Sequence, residues 1–560
     1  MNAIWSKRML VVALSTLLSA TATVTSEQPS GQEPSEKHAV AAIRKALRSN
    51  DVAAWQTAFD DLLPFDSEVV AKTIVAVRER IEVDVAETTK SREEMRQEAA
   101  QIIKGQETSR SRQLPSAGHA RFQELEREIA ALRKRLDACR LVLENVDSKL
   151  ERLRDEKAAR FLLTKVIGDA RRSLALKLAA AGALPGLGEQ LTADIGKALT
   201  RSKKRTEDIL ALLQGIRRLE EKAAPLGPAL IDLLGHDDDE VRVQAANACA
   251  SVRVPESVEA LIALLARERG QVRRRVSLAL EDFTGKKLGV SKTSWEGWFA
   301  SEGRAWVAEG APKRVARGGS MFKASKEIED DSFYYMGIPQ DGEGIVYVID
   351  ASQSMEKQVK WRKPRGSGGG GVTVASPIGE PAGDKGKGTT RLEACKQELI
   401  EALQRLERTK NFNVVWYSDV AEAWMPNLQK ADPSKIAEAT AWVAKLNPVA
   451  STNIHDAMKL AFSIDDVAMG KKGAARRRDK SRGEGVDTIF LLTDGSPTTT
   501  DGKLDDPDKV LRAVRSWNPL GSIIVHTIGI GDGLNADFLK KLAAENGGEF
   551  KHFDDSGTQR

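Results

Sequence analysis

Cysteine is scarce, with three in 560 residues, and Cys139, Cys249 and Cys395 lie far apart with no CxxC pair. That spacing excludes a disulfide framework and a thiolate zinc site. All three sit among apolar residues in helical patterns, as core fillers do. The six histidines are not clustered, and His455 and His526 lack the partner spacing of a zinc ligand or a nucleophile's base. Charge of one sign is lacking too: 85 basic and 80 acidic residues leave a net +5. No specific nucleic-acid footprint follows from that balance. Beyond the N-terminus no segment reaches the ~20 apolar residues of a membrane span. What remains, 41% hydrophobic and 29% charged, is the composition of a soluble chain with long exposed helices. The length calls for roughly two to four domains.

Residues 1–22 read as a signal peptide. Lys7 and Arg8 precede an apolar run, Met9 to Leu18, and Ala20-Thr21-Ala22 supplies an A-x-A cleavage pattern. The mature chain is expected to begin near Thr23 and to be exported, to the periplasm, the cell surface or the medium.

Residues 23–118 read as a helical region. Ser49-Asn50-Asp51 stops one helix and starts the next, because short polar side chains cap helix ends. Pro64 breaks that next helix, and a polar-rich helix follows from about Ser67 to Gln106. Residues 119–165 read as a coiled coil. Phe122, Leu125, Ile129, Leu132, Leu136, Cys139, Leu143, Val146, Leu150 and Leu153 alternate spacings of three and four, the a and d positions of a heptad. Such an arm is roughly 50 Å long at 1.5 Å per residue. Its partner is either the preceding helix, through Ile74, Val77, Ile81, Met95 and Ile102, or a second chain in a dimer.

Residues 166–305 read as a helical domain with a weak internal repeat. Asp239-Glu240-Val241-Arg242-Val243 recurs loosely as Gly270-Gln271-Val272-Arg273-Arg274, each after a short apolar helix. This segment resembles HEAT-type repeats, whose helix pairs stack into a solenoid. Trp295 and Trp298 are expected to cap the stack. From Gly310 the pattern dissolves, and residues 306–340 read as a linker.

Beyond the linker, apolar runs at Ile345–Ile349, Phe412–Tyr417, Thr488–Thr493, Ile523–Gly529 and Glu549–Phe553 alternate with helical patterns. That rhythm predicts an α/β domain, a doubly wound and mostly parallel sheet with helices on both faces. The fold class is therefore multidomain: an all-α N-terminal half and a C-terminal α/β unit. The first strand ends in Asp350-Ala351-Ser352-Gln353-Ser354, and a later one ends in Thr493-Asp494-Gly495. Doubly wound sheets open a crevice at the carboxyl ends of their strands, where strand order reverses. Two carboxylates brought together there repel unless one is protonated or a cation lies between them. Carboxylate, hydroxyl and water oxygens together suit magnesium or manganese.

Asp350-x-Ser352-x-Ser354 resembles the D-x-S-x-S start of the metal-ion-dependent adhesion site of von Willebrand factor A domains. Ser451-Thr452-Asn453 and Thr493-Asp494-Gly495 resemble that family's second and third motifs, in the right order. The resemblance covers residues 341–556. It implies that Asp350, Ser352, Ser354, Thr452 and Asp494 are the metal ligands, and that a partner's carboxylate completes the shell. Two departures are Gln353, where the family usually has Gly, and Ala450-Ser451, where a Gly is common. Two insertions decorate the unit, a Gly- and Lys-rich one at 357–390 and a basic one at 470–485. The expected function is that of an exported, non-catalytic binding module for a carboxylate on a protein or other envelope ligand. A metal-assisted hydrolase or phosphatase is the rival reading, and an adaptor for an ATPase is the third.

Overall fold

The structure is a computed structural model, and it describes residues 35–107, 116–187, 191–202, 205–311, 334–361, 389–449, 451–468, 485–498 and 504–560. The expected signal peptide and most of both insertions lie outside the described residues. The chain divides into two compact units: residues 1–65 with 88–142, and residues 66–87 with 143–560.

The first unit is helical. Helix Glu36–Ala46 gives way to helix Val52–Asp60 at the expected stop, where the Asp51 carboxylate accepts from Ala53 N and Ala54 N. Trp55 and Phe59 are buried beneath it. This unit also takes in parts of helices Glu68–Glu107 and Ser116–Arg152. They pair within the chain: Arg121 Nε donates to Glu98 Oε1 at 2.9 Å. Of the two partners left open by the heptads, the preceding helix is the one in place. Leu125, Leu136 and Cys139 are buried, whereas Phe122, Ile129 and Leu132 are half-buried.

The second unit opens with short helices and then a helical array. Helices Thr206–Leu219, Gly227–Leu233, Asp239–Val252, Ser257–Arg267 and Gly270–Thr284 follow one another, the first packing on the third and the third on the fifth. The Asp238 carboxylate caps the third of them, accepting from Val241 N at 3.1 Å. Trp295 and Trp298 are buried in edge-to-face contact at 5.7 Å, and Trp306 joins them at 6.0 Å.

The C-terminal sheet has seven strands. In chain order the strands of this half are β1 (Tyr334–Tyr335), β2 (Ile338–Pro339), β3 (Gly344–Asp350), β4 (Gln358–Val359), β5 (Thr389–Thr390), β6 (Asn411–Tyr417), β7 (Ala421–Ala423), β8 (Gln429–Lys430), β9 (Thr488–Thr493), β10 (Ile524–Ile530) and β11 (Phe550–Phe553). The main sheet runs β11-β10-β9-β3-β6-β7, with β8 also on β6. β3, β6, β9, β10 and β11 are parallel; β7 and β8 are antiparallel. Alternate residues of β3 serve opposite cores. Ile345, Tyr347 and Ile349 pack toward Leu392, Leu399 and Val443, while Val346 and Val348 pack toward Met458, Leu511 and Leu542. That two-sided burial is why the strands read as unbroken apolar runs.

The expected linker through residue 340 is corrected at its C-terminal end. β1 and β2 form a hairpin whose Tyr335 lies edge-on to Tyr347 at 5.4 Å and to Phe490 at 5.5 Å. Its turn holds two left-handed residues, Met336 at φ 51 and Gly337 at φ 74.

At the amino ends of the strands the helical array meets the sheet. Gln271 Nε2 donates to Thr488 Oγ1 at 2.6 Å, and Gln244 Nε2 donates to Leu520 O at 2.7 Å. Arg274 bridges Glu549 at 2.6 Å and Asp341 at 3.3 Å.

Candidate metal centre

β3 lies between β9 and β6, so the chain leaves β3 toward one side and returns on the other. The carboxyl ends of β3 and β9 therefore flank the switch point. The register that sets Ile349 beside Leu492 carries the next residue of each strand to the same edge. Thr493 Oγ1 donates to Asp350 Oδ2 at 2.7 Å, and Tyr417 OH donates to the same oxygen at 3.2 Å. The other oxygen, Asp350 Oδ1, accepts from Ser352 N at 2.8 Å. Asp350 is fully buried.

From there a chain of oxygens crosses the crevice. Ser352 Oγ and Ser354 Oγ are 3.0 Å apart, and Ser354 Oγ donates to Asp494 Oδ1 at 2.6 Å. Burial is the main reason the Asp350 carboxyl is pushed up to about 6, and the charge of Asp494 adds to it.

Thr452 arrives on a separate loop that three strands hold. Val449 N donates to Ala351 O at 2.8 Å, and Asn453 N donates to Ser418 O at 2.7 Å. Thr452 exchanges hydrogen bonds with Thr498: its amide donates to Thr498 Oγ1 at 2.7 Å, and its carbonyl accepts from Thr498 N at 2.8 Å. Both backbone groups are thereby used, and the Thr452 hydroxyl is left for the crevice. A Cβ placed on Gly495 would lie 3.6 Å from that hydroxyl, which puts it beside Asp494. Asn453 caps helix Ile454–Ala468, its Oδ1 accepting from Asp456 N at 3.2 Å.

All five residues expected from the sequence thus line one crevice. Its donor set, two carboxylates and three hydroxyls, suits a hard divalent cation better than a soft one. It contains no His or Cys, and among the described residues no cluster of three or more His, Cys, Asp or Glu forms elsewhere.

One participant was not anticipated. Arg391 is buried and donates to Asp494 Oδ2 at 2.8 Å and to Asp555 Oδ1 at 2.8 Å. Burial disfavours its charge, but the two carboxylates more than offset this and hold the guanidinium firmly protonated. A sequence signal did exist. Arg391 opens helix Arg391–Gln404, directly after the Thr390 capping box with Glu393, and the helix dipole disfavours a cation there. Gly531 is the second trace of it. Its φ is 81, and a Cβ at that position would overlap the Arg391 guanidinium.

The histidines do not supply a base. His455 Nδ1 pairs with Asp456 Oδ1 at 3.0 Å, and its ring lies edge-on to Trp517 at 5.4 Å. His526 Nδ1 accepts from Glu549 N at 3.0 Å while the ring stacks on Phe490. Burial pushes it down to about 3.

Comparison with known proteins bears on the fold. Residues 383–552 match the family model of the von Willebrand factor type A domain, and residues 196–281 match that of HEAT repeats. The first match contains Thr452 and Asp494 and begins after Asp350, Ser352 and Ser354. Human inter-alpha-trypsin inhibitor heavy chain H4 is 28% identical over 158 residues, which are 28% of this chain and 16% of that protein. The bovine heavy chain H3 is 24% identical over 217 residues, 39% of this chain and 19% of that one. The chain thus spans less than a fifth of the length of these curated relatives. Among solved structures, a von Willebrand factor type A protein from Catenulispora acidiphila is 20% identical, covers 38% of each chain and has a TM-score of 0.27. Proximal thread matrix protein 1 of the mussel byssus, with a zinc-occupied MIDAS motif, is 19% identical, covers 38% of this chain and 41% of its own, and has a TM-score of 0.23. The C-terminal α/β unit of this chain is a von Willebrand factor type A domain, and it follows a helical half that contains HEAT repeats.

Proposed function

We propose that this chain is an exported, non-catalytic binding protein. Its type A domain would take a partner's carboxylate through a magnesium or manganese ion held by Asp350, Ser352, Ser354, Thr452 and Asp494. Such an ion, when bound, would supply an electrophilic position for that carboxylate. The observation that carries the reading is the convergence of two buried carboxylates and three hydroxyls at the sheet's switch point. Residues 1–22 would direct export, and the helical half would act as scaffold.

The chain's own groups divide the work. Asp350 and Asp494 carry the charge, while a serine or threonine hydroxyl can either donate to a carboxylate or turn a lone pair toward a cation. Tyr417 and Thr493 fix Asp350 from behind. No nucleophile with an adjacent general base is seen among the described residues of the crevice, which favours binding over hydrolysis.

A cation that binds only the folded form stabilises it by about 2.7 kcal/mol at about a hundred times its Kd. The full chain is expected to melt at a higher temperature with magnesium than with chelator. Asp350→Ala should abolish that response and still fold, since it also removes a like-charge repulsion. Capture of envelope proteins by the wild type should require magnesium and fail in the variant. Calorimetry showing equal magnesium binding by both would sink the metal assignment, and metal-independent capture would sink the bridging mechanism.

A further inference from the structure

We propose that a second site, far from the type A domain in sequence, binds a compact polyanion bearing phosphate groups. It is a cleft of about 810 Å³ within the second unit, formed by the start of helix Glu68–Glu107, the segment Glu156–Gly168 and helix Leu191–Arg201. Phe161, Leu163, Ile167 and Leu212 line its apolar part. Around them stand seven lysines and arginines against two carboxylates, Glu68 and Asp194.

The cations fall into two groups. Four are committed to the fold. Lys72 pairs with Glu68 at 2.7 Å, and Arg160 and Lys197 share Asp194 at 2.5 and 3.8 Å. Arg205 pairs with Asp208 at 3.0 Å and donates to Gly168 O at 2.7 Å. The other three, Lys157, Lys165 and Arg201, line the same cleft with no ion-pair partner among the described residues. Like charges gathered in a concavity raise the local potential and draw in counter-ions. Folding alone gives no reason to collect them there.

The backbone is unusual at the same place. Leu162–Ile167 is a π-helical turn, a rare form that recurs at functional sites. It leaves Thr164 and Lys165 exposed on the cleft while Leu163, Val166 and Ile167 stay buried.

Phosphate suits this set better than a lone carboxylate. A pyrophosphate or phosphomonoester concentrates several negative charges in a small volume, and the planar Arg201 fork fits its oxygens. The volume is within the range of small-molecule pockets. The phosphate could be free or part of a lipid headgroup, and the apolar lining would accept a chain attached to it.

The test titrates the full chain with inorganic pyrophosphate by calorimetry, in chelator so that no cation at the type A domain can recruit phosphate. In parallel, vesicles of phosphatidylcholine with and without phosphatidic acid are assayed by co-sedimentation. Saturable binding that weakens with salt is expected. The triple variant Lys157→Gln, Lys165→Gln, Arg201→Gln should lose at least about a hundredfold in affinity with an unchanged melting temperature. Lys435→Gln, on the type A domain, should bind as wild type does. Pyrophosphate binding supports a soluble ligand; binding only to vesicles with phosphatidic acid supports a headgroup. Absence of both, or binding that survives the triple variant, would overturn the proposal, the second outcome assigning the affinity to another basic segment such as 470–485.

Discussion

The two ends of β9 carry the same chemistry to different ends. Asp487 precedes the strand and Asp494 follows it. At the amino edge Asp487 is half-buried, and its carboxyl is pushed up to about 6, chiefly by desolvation. Its oxygens accept from Glu343 N at 2.8 Å, Gly344 N at 3.3 Å and Thr488 Oγ1 at 2.8 Å, and the helical array seals the edge through Gln271 and Arg274. At the carboxyl edge Asp350 is fully buried and also lies near 6, but hydroxyls supply much of its surroundings and those of Asp494. Backbone amides can only donate. A hydroxyl can donate to a carboxylate or present oxygen to a cation. The amino edge is therefore a closed structural joint, and the carboxyl edge is one that can change its occupant.

The sharpest way to break this contrast is Arg391→Ala. The side chain is the fixed cation of the carboxyl edge, and removing it leaves Asp494 buried beside Asp350. Stability in chelator should fall by about 3 kcal/mol, and the rise in melting temperature on adding magnesium should exceed that of wild type. Denaturant titration with and without the metal measures both. An unchanged magnesium response would mean that Arg391 and the cation do not act on the same carboxylate.

Arg274→Ala probes the other edge. Its two ion pairs are partly screened, so a loss of about 1–2 kcal/mol is expected. The magnesium response should be untouched, because the substitution lies at the opposite ends of the strands. A lost response would mean that the two edges are coupled.

The smallest effect is a slope. The folded value for Asp487 lies above its unfolded value of 3.8, so the unfolded chain gives up that proton first as pH rises. The group thus removes stability between about pH 4 and pH 6. Asp350 acts in the same direction in chelator. Asp487→Asn should flatten part of that descent, read from denaturation midpoints across the interval; an unchanged slope would show that Asp487 is not protonated there.

Much of the sheet was legible because its inner strands are buried on both faces. Strand Thr488–Thr493 falls where periodicity places it. The edge strands β7 and β8 escaped notice because they are two or three residues long and keep polar groups such as Glu422 and Lys430 on the surface. The β1–β2 hairpin was hidden by its turn, since Met336-Gly337 lacks the Asn or Asp that usually announces left-handed backbone. The five expected crevice residues lie in short motifs, four of them at the ends of β3 and β9 and Thr452 on its own loop. For Arg391 the sequence marked only an unfavoured cation at a helix start, not its partners Asp494 and Asp555, which are 103 and 164 residues away.

The parallel ladders have a mechanical consequence. β3 is flanked by β6 and β9, and seven consecutive residues register against the first and five against the second. A partner gripping the carboxyl edge would pull along these strands, while the ion pairs of Arg274 resist at the amino edge. Load in that direction shears both ladders, straining many hydrogen bonds together rather than opening them one after another. Under the proposed binding, yielding in that direction would be set by the unfolding barrier and not by equilibrium stability.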